Sequence, residues 1–180
     1  MAVIVASILF LTGTYNSLVN GREGVDAAWA QVETQYQRRF DLIPNLVESV
    51  KSVLKQEQKV FSDIAEARTR YAGAKSSEDK VAAANQVEGA LSRLLVIVEN
   101  YPQLKSSETV QTFMAQLEGT ENRISVERSR YNETVRNYNV SVKVFPRNIA
   151  AGWFGFSPRT MFESEAGAAT TPKVDLNVSK

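Results

Sequence analysis

The side chains in this sequence that are best placed for acid–base chemistry are two pairs of carboxylates. Asp41 and Glu48 flank Pro44, and Glu118 and Glu121 lie beside a polar Asn-Arg pair. Carboxylates held on facing walls of a cleft can perform acid–base or glycosidase chemistry. Acids next to a helix-starting proline, however, usually act as caps, and acids near an arginine on a helix usually form solvated pairs. We therefore interpret both pairs as structural.

The composition excludes most other catalytic chemistry. The 180 residues include no cysteine and no histidine, so the chain has no thiol or imidazole nucleophile, no zinc finger and no haem-ligating histidine. The sequence also contains neither a calcium-binding D-x-D-x-D-G loop nor a glycine-rich phosphate loop. With 21 basic and 20 acidic residues the formal net charge is +1, which gives no overall electrostatic case for binding nucleic acid. The sequence predicts no enzyme, no metal, no cofactor and no nucleic-acid partner.

The N-terminal segment is apolar and uncharged. No charged side chain occurs in residues 1–21, and residues 2–11 (AVIVASILFL) are almost continuously apolar. A cleaved signal peptide needs a basic start and a small-x-small cleavage site, and the segment has neither. A full membrane span needs about 20 apolar residues, so this run is short. A membrane anchor is nevertheless favoured over a buried core or interface helix.

Proline positions divide the chain, because a helix interior rarely accepts a proline. The five prolines are Pro44, Pro102, Pro146, Pro158 and Pro172. They predict helical segments over residues 1–43, 44–101 and 102–145, the second of them broken near Gly73, with Ser77 as the N-cap of the following helix.

The apolar spacing inside these segments is helical. Val25, Trp29, Val32, Tyr36 and Phe40 are separated by four, three, four and four residues, which places them on one face of a helix. No segment shows the alternation of a strand. The sequence predicts an all-α fold, a long antiparallel up-down four-helix bundle with an N-terminal membrane-anchor helix and an irregular C-terminal tail. The corresponding regions are residues 1–21, 22–145 and 146–180.

A Tyr-Asn pair occurs twice in the last predicted helix. Tyr131-Asn132 and Tyr138-Asn139 are one heptad apart. We interpret the tyrosines as core residues whose hydroxyl groups reach water. The alternative is that the asparagines fix helix register in a partner interface, as a buried asparagine does in coiled coils.

Several strings together resemble the LemA family. They are YNSLV (15–19), AW (28–29), QRRFDLIPNLV (37–47), AEAR (65–68), LSRLLVIVENY (91–101), LEGTENRI (117–124), RYNETVRNY (130–138), FP (145–146) and IAAGWFGF (149–156). The resemblance runs from about residue 15 to residue 165. This sequence differs at Phe40, where a small residue is usual, and in an N-terminal apolar run that is shorter and lacks leading lysines.

The resemblance implies a single-pass bacterial membrane protein with an antiparallel helical body and no established enzymatic activity. It also implies kinship with proteins of magnetosome membrane biogenesis, and it offers no catalytic residues. The expected location is the inner membrane, with the body in the cytoplasm. Candidate structural or interaction residues surround the two acid pairs, and they are Arg38, Arg39, Asp41, Pro44, Asn45, Glu118, Asn122 and Arg123.

The two arginines of the first helix are expected to have an acidic partner. In an up-down bundle the first and last helices are antiparallel, which places Arg38 and Arg39 opposite Glu108 and Glu118. Asp41 and Glu48 are local alternatives, and two solvated arginines are the simpler one.

Aromatic residues follow the last long helix, around glycines at 152 and 155. If that helix ends beside the anchor, Phe145, Trp153, Phe154 and Phe156 lie near the membrane plane, where aromatic rings are favoured. The sequence therefore predicts contact of these residues with membrane or with a neighbouring subunit. Capping of the open end of the bundle is the alternative.

The leading functional hypothesis is a non-enzymatic, membrane-anchored helical scaffold. It self-associates into a homo-oligomer, contacts membrane lipid, and organises membrane or envelope protein partners. The alternative is a monomeric helical binding module that offers a groove to a peptide or an envelope protein.

Overall fold

The computed structural model describes residues 1–162, and this part of the chain is entirely helical apart from its connections. The helices are α1 (Ala2–Lys51), α2 (Gln58–Gly73), α3 (Ser77–Glu99), α4 (Pro102–Lys105), α5 (Glu108–Lys143) and α6 (Arg147–Trp153). The predicted all-α fold is confirmed over this range. Part of the predicted irregular tail forms α6, and its remainder from residue 163 onwards lies outside the described residues.

The first helix does not stop before Pro44, and the predicted boundary at residue 43 is wrong. The helix continues to Lys51 with Pro44 inside it. A proline in a helix interior costs about 3 kcal/mol. Ile43, Leu46 and Val50 are buried on the same face, and each such side chain stabilises the helix position by about 1.5 to 3 kcal/mol. Pro44 itself is exposed.

The chain turns between residues 52 and 57, where the sequence predicted a continuous helix. Leu54 is buried in this turn and holds it against the core. The N-cap of α3 is Ser76, one residue earlier than predicted. Its hydroxyl accepts a hydrogen bond from the Asp79 amide at 3.0 Å. Ser77 is the first helical residue of α3.

Contacts between α1 and α5 run in opposite chain directions. Trp29 meets Tyr131 with ring centroids 5.7 Å apart, and Arg39 pairs with Glu121 further along α1 and earlier on α5. A Cβ atom added at Gly21 would lie 3.1 Å from the Tyr138 ring. The absence of a side chain at Gly21 therefore lets the two longest helices approach closely.

The α2 and α3 helices form a second antiparallel pair. Arg70 donates a hydrogen bond to Gln86 at 3.1 Å, and Asp63 lies 3.6 Å from Arg93. These contacts again run in opposite chain directions. The two helix pairs then pack against each other through larger side chains.

An aromatic cluster joins the two pairs in the core. The Phe40 and Tyr71 rings meet edge to face at 4.6 Å, and Tyr36 lies 6.0 Å from Phe40 and 5.8 Å from Tyr71. All three are buried. The large ring at position 40 therefore fills space between α1 and α2.

The start of α1 extends beyond the bundle. Residues 1–10 are all exposed, and Thr14 is the first buried residue. The segment 2–13, which we call the overhang, is about 18 Å long at 1.5 Å per residue. By length and composition, α1 and α3 are both apolar enough to cross a membrane. The α3 helix buries its apolar face in the core, from Ala83 to Val98, whereas the overhang buries none.

Candidate functional site: an apolar end and an asparagine-lined groove

The short α6 helix packs on α1 at the base of the overhang. Ala150 and Ala151 are buried, which lets α6 lie close to its neighbours. Tyr15 of α1 meets the rings of Phe154 at 5.0 Å and Phe156 at 5.8 Å, both edge to face. The α6 helix and Phe156 are therefore fixed beside the start of α1, as expected for a last helix that returns to the anchor.

The predicted aromatic contacts divide into two groups. Phe145 and Trp153 are 74% and 73% exposed, and Ile149 and Phe154 are also exposed. We call these four residues the apolar collar. Phe156 is only 8% exposed, and the Arg22 guanidinium lies 5.4 Å above its ring. Phe156 therefore caps the bundle end within the chain, unlike the predicted membrane or subunit contact.

Two asparagines of α5 hold the backbone of the segment after α6. The Asn139 side chain donates to the Arg159 carbonyl at 2.8 Å and accepts from the Arg159 amide at 2.7 Å. Asn132 does the same for Phe162, at 3.0 and 2.8 Å. Each amide thus satisfies both backbone groups of one residue. We call residues 159–162 the clamped segment.

The Phe162 ring enters an aromatic pocket beside this clamp. It stacks on Trp29 at 5.7 Å with an interplanar angle of 21°, and it meets Tyr131 edge to face at 5.3 Å. The Arg128 guanidinium lies 5.3 Å from the same ring. The Tyr131 hydroxyl also donates to the Thr160 carbonyl at 3.1 Å. The pocket therefore recognises one aromatic side chain as well as backbone.

Arg128 connects this pocket to the core. Its guanidinium donates to the Tyr36 hydroxyl at 2.9 and 2.5 Å, and it lies 3.6 Å from Glu88. Burial raises the pKa of Tyr36, and the neighbouring Arg128 charge opposes that shift. The neutral phenol is therefore the form that accepts from Arg128 at physiological pH.

A cavity of about 310 Å³ remains open between the clamped segment and α3. Its walls come from α1, α3, α5 and the segment itself, and they include Trp29, Ser77, Ala82, Asn85, Tyr131 and Met161. We call this space, with the clamp and the aromatic pocket, the C-terminal groove. Among residues 1–162, no group of three or more acidic, histidine or cysteine side chains is placed to hold a metal ion.

The partner of Arg39 is Glu121, one turn further along α5 than the predicted Glu118. The Arg39 side chain is 9% exposed and forms an ion pair with the Glu121 carboxylate. Glu118 is exposed and lines a neighbouring cavity, and the other predicted partner, Glu108, is exposed at the start of α5. The two neighbouring arginines therefore differ in environment, since Arg39 is buried and Arg38 is at the surface.

The remaining polar candidates lie at the surface. Arg38, Asp41 and Arg123 line one shallow cleft between α1 and α5, and Asp41 accepts a hydrogen bond from Gln37 at 2.8 Å. The other three candidates, Pro44, Asn45 and Asn122, are exposed. This cleft brings together a subset of the predicted residues without forming an enclosed site.

The groove contains residues that the sequence did not mark as a site. The heptad spacing of Asn132 and Asn139 is the one sequence signal for the groove, and it indicates a polar interface with a partner. In the structure the two asparagines bind a segment of the same chain instead. Nothing in the local pattern around Phe162 indicates a pocket for its ring, because that pocket comes from α1 and α5.

The structure is a helical bundle whose first helix continues as an exposed segment, and by length and composition this helix is apolar enough to cross a membrane. The LemA family model matches residues 28–176, which is more than half of the chain. The protein therefore belongs to the LemA family, and the resemblance of its motifs is confirmed.

Curated relatives include magnetosome proteins. MamQ 1 and MamQ 2 of Paramagnetospirillum magneticum and MamQ of Magnetospirillum gryphiswaldense are each 28% identical over 195 residues. The similarity covers 94% of this chain and 71% of each relative. With the apolar start of α1, these similarities support membrane association in a bacterium.

Replacing Glu121 with glutamine tests the partly buried ion pair between Arg39 and Glu121. Glu121→Gln removes the charge that compensates Arg39, so the free energy of unfolding should fall by about 1 to 2 kcal/mol. Thermal unfolding of the full-length protein in detergent measures this change. Glu118→Gln is the matched control on the exposed side, with an expected change within about 0.5 kcal/mol. Equal effects of the two substitutions would contradict the assignment.

Proposed function

We propose that this protein is a non-enzymatic, membrane-anchored scaffold that self-associates and organises membrane or envelope partners. The observation that carries the proposal is the overhang, an exposed apolar segment that continues without interruption into the longest helix of the bundle. Neither the LemA family nor the MamQ relatives form a known enzyme family. The proposed location is the inner membrane, crossed once, with the helical body in the cytoplasm.

The continuity of α1 gives the proposed anchor a mechanical property. A helix that runs from residue 2 to residue 51 without a break fixes the orientation of the body relative to the bilayer. A flexible tether would leave the body free to rotate. A fixed orientation suits a scaffold, because copies on one membrane then present the same faces to each other.

The apolar collar supplies a second membrane contact beside the anchor. Phe154 meets Tyr15 at the base of the overhang, and the other collar residues lie on α6 or directly before it. Apolar surface of this kind rarely remains in water, and aromatic residues are favoured at the membrane interface. The collar therefore supports a geometry in which α6 lies along the bilayer surface.

Self-association strengthens this membrane binding. Apolar residues at the bilayer centre contribute only about 0.3 to 0.6 kcal/mol each on insertion scales. The seven valine, isoleucine, leucine and phenylalanine residues within 2–11 then contribute roughly 2 to 4 kcal/mol. Several copies in one assembly multiply the number of anchors without new contacts to lipid.

Removal of the overhang should release the body from membranes. Deletion of residues 1–13 leaves the buried Thr14 in place, so the remaining bundle keeps its core. Flotation with lipid vesicles measures binding, and circular dichroism checks that the body remains helical. Deletion of the same length from residue 168 onwards is the control that should still float. Flotation of the helical 1–13 deletion would count against the anchor.

The scaffold proposal requires more than one chain per particle. Size-exclusion chromatography with light scattering in mild detergent should give a protein mass of at least twice 20.0 kDa. A monomer at micromolar concentration would overturn self-association and favour the monomeric binding module.

The position of the collar is measured by the fluorescence of Trp153. In a Trp29→Phe variant, Trp153 is the sole tryptophan, and its emission should shift to the blue on addition of vesicles. Brominated lipids should quench it. The matched Trp153→Phe variant retains only the half-buried Trp29, which packs inside the bundle and should respond little. No difference between the two variants would contradict contact of the collar with lipid.

A further inference from the structure

The clamp on residues 159–162 has the geometry of a binding site for an extended chain. Asn132 and Asn139 are seven residues apart on α5, which corresponds to about 10.5 Å along a helix. The residues that they hold, Arg159 and Phe162, are three apart, which corresponds to about 10 Å in an extended chain. The spacing of the two asparagines along α5 matches the spacing of the two residues that they hold. One face of α5 can therefore hold an extended backbone without distortion.

Most hydrogen bonds to the clamped segment are made to its backbone rather than to its side chains. Four hydrogen bonds join the two asparagine amides to backbone N–H and carbonyl groups. A fifth joins the Tyr131 hydroxyl to the Thr160 carbonyl. Two side chains of the segment are also recognised. The Phe162 ring lies in the aromatic pocket of Trp29, Tyr131 and Arg128. The Arg159 guanidinium lies 3.3 Å from the Asp26 carboxylate of α1. A ligand for the groove is therefore an extended segment with an arginine at its first position and an aromatic residue at its fourth.

The bonds that hold the clamped segment can all form between two chains. The segment is attached to the bundle through a two-residue connection, Ser157-Pro158, that follows the buried Phe156. Gly155, just before it, has a φ of +74°, a conformation that side chains rarely adopt. Met161 is 42% exposed beside the open cavity. A change of direction at this connection carries the segment away from its own α5.

We propose that the C-terminal groove is a self-association site whose ligand is the clamped segment of a second copy of this chain. The proposal rests on the self-association proposed above and names the contact that produces it. The segment 159–162 is the ligand whose fit the structure displays, and every neighbouring copy carries it. Exchange of an identical element preserves each contact and is a low-cost route to an oligomer. Anchoring in one membrane raises the local concentration of the exchanging segments.

The connection limits how the copies are arranged. Phe162 lies six positions after Phe156 in the chain, an extended reach of roughly 20 Å. Neighbouring bundles must therefore lie side by side with their α5 faces close together. This arrangement agrees with anchors that are all perpendicular to the same bilayer.

Cysteine crosslinking tests the exchange directly, because the chain has no native cysteine. Met161→Cys in one full-length chain and Ala82→Cys in another place single thiols on two walls of the same cavity. The two chains, carrying tags of different size, are co-expressed and treated in membranes with a short bismaleimide. A covalent heterodimer forms when the segment of one chain lies in the groove of the other.

The clamp provides the control for specificity. Asn132→Ala together with Asn139→Ala in the Ala82→Cys chain should lower the heterodimer yield by about tenfold or more. Asn137→Ala, an exposed asparagine on the same helix, should leave it unchanged. A heterodimer that persists without both clamp asparagines would show chance proximity and overturn the proposal.

Absence of the heterodimer would also overturn it. A single chain with both cysteines would then close internally, which would place the segment permanently in its own groove. Light scattering of the same samples separates this result from failure of the scaffold proposal. An oligomer without the heterodimer leaves self-association intact and removes only the exchange, whereas a monomer removes both.

Discussion

One continuous buried stripe on α1 determines the arrangement of the rest of the chain. Leu18, Val25, Val32, Ile43 and Val50 are all almost completely buried along a single helix of 50 residues. Their burial outweighs the local cost of a proline inside the helix. The other helices pack on the face that carries this stripe, and the apolar overhang continues the same helix beyond them.

Two arginines are shielded from water at the edge of the core, Arg39 almost completely and Arg128 in part. A guanidinium that is removed from water requires compensation for its charge. Arg39 obtains it from Glu121, and Arg128 from the Tyr36 hydroxyl and Glu88. These pairs fix the positions of α3 and α5 around α1, which gives them a structural role.

The apolar collar and the clamped segment, which are proposed to contact membrane and a second copy, both pack on the helix pair α1 and α5. The apolar collar rests on α1 near Tyr15, and the clamped segment crosses from α5 to Trp29 of α1. The chain between them passes through the buried Phe156. Proposed membrane contact and proposed contact between copies are therefore joined by a short stretch of chain, so that the bilayer orients the surface that neighbouring copies meet.

The sequence by itself determined the helical class, the apolar start and the LemA membership, because a 3.6-residue period and family motifs are local properties. It also predicted an acidic partner for the pair Arg38 and Arg39, of which only Arg39 is buried. Tertiary structure decided that Glu121 supplies it and that the helix continues through Pro44, since both depend on burial across helices. Asn132 and Asn139 were visible at heptad spacing, but their ligand lies 20 to 30 residues away in the chain. Their function follows from the path of the chain after α6, which no local pattern contains.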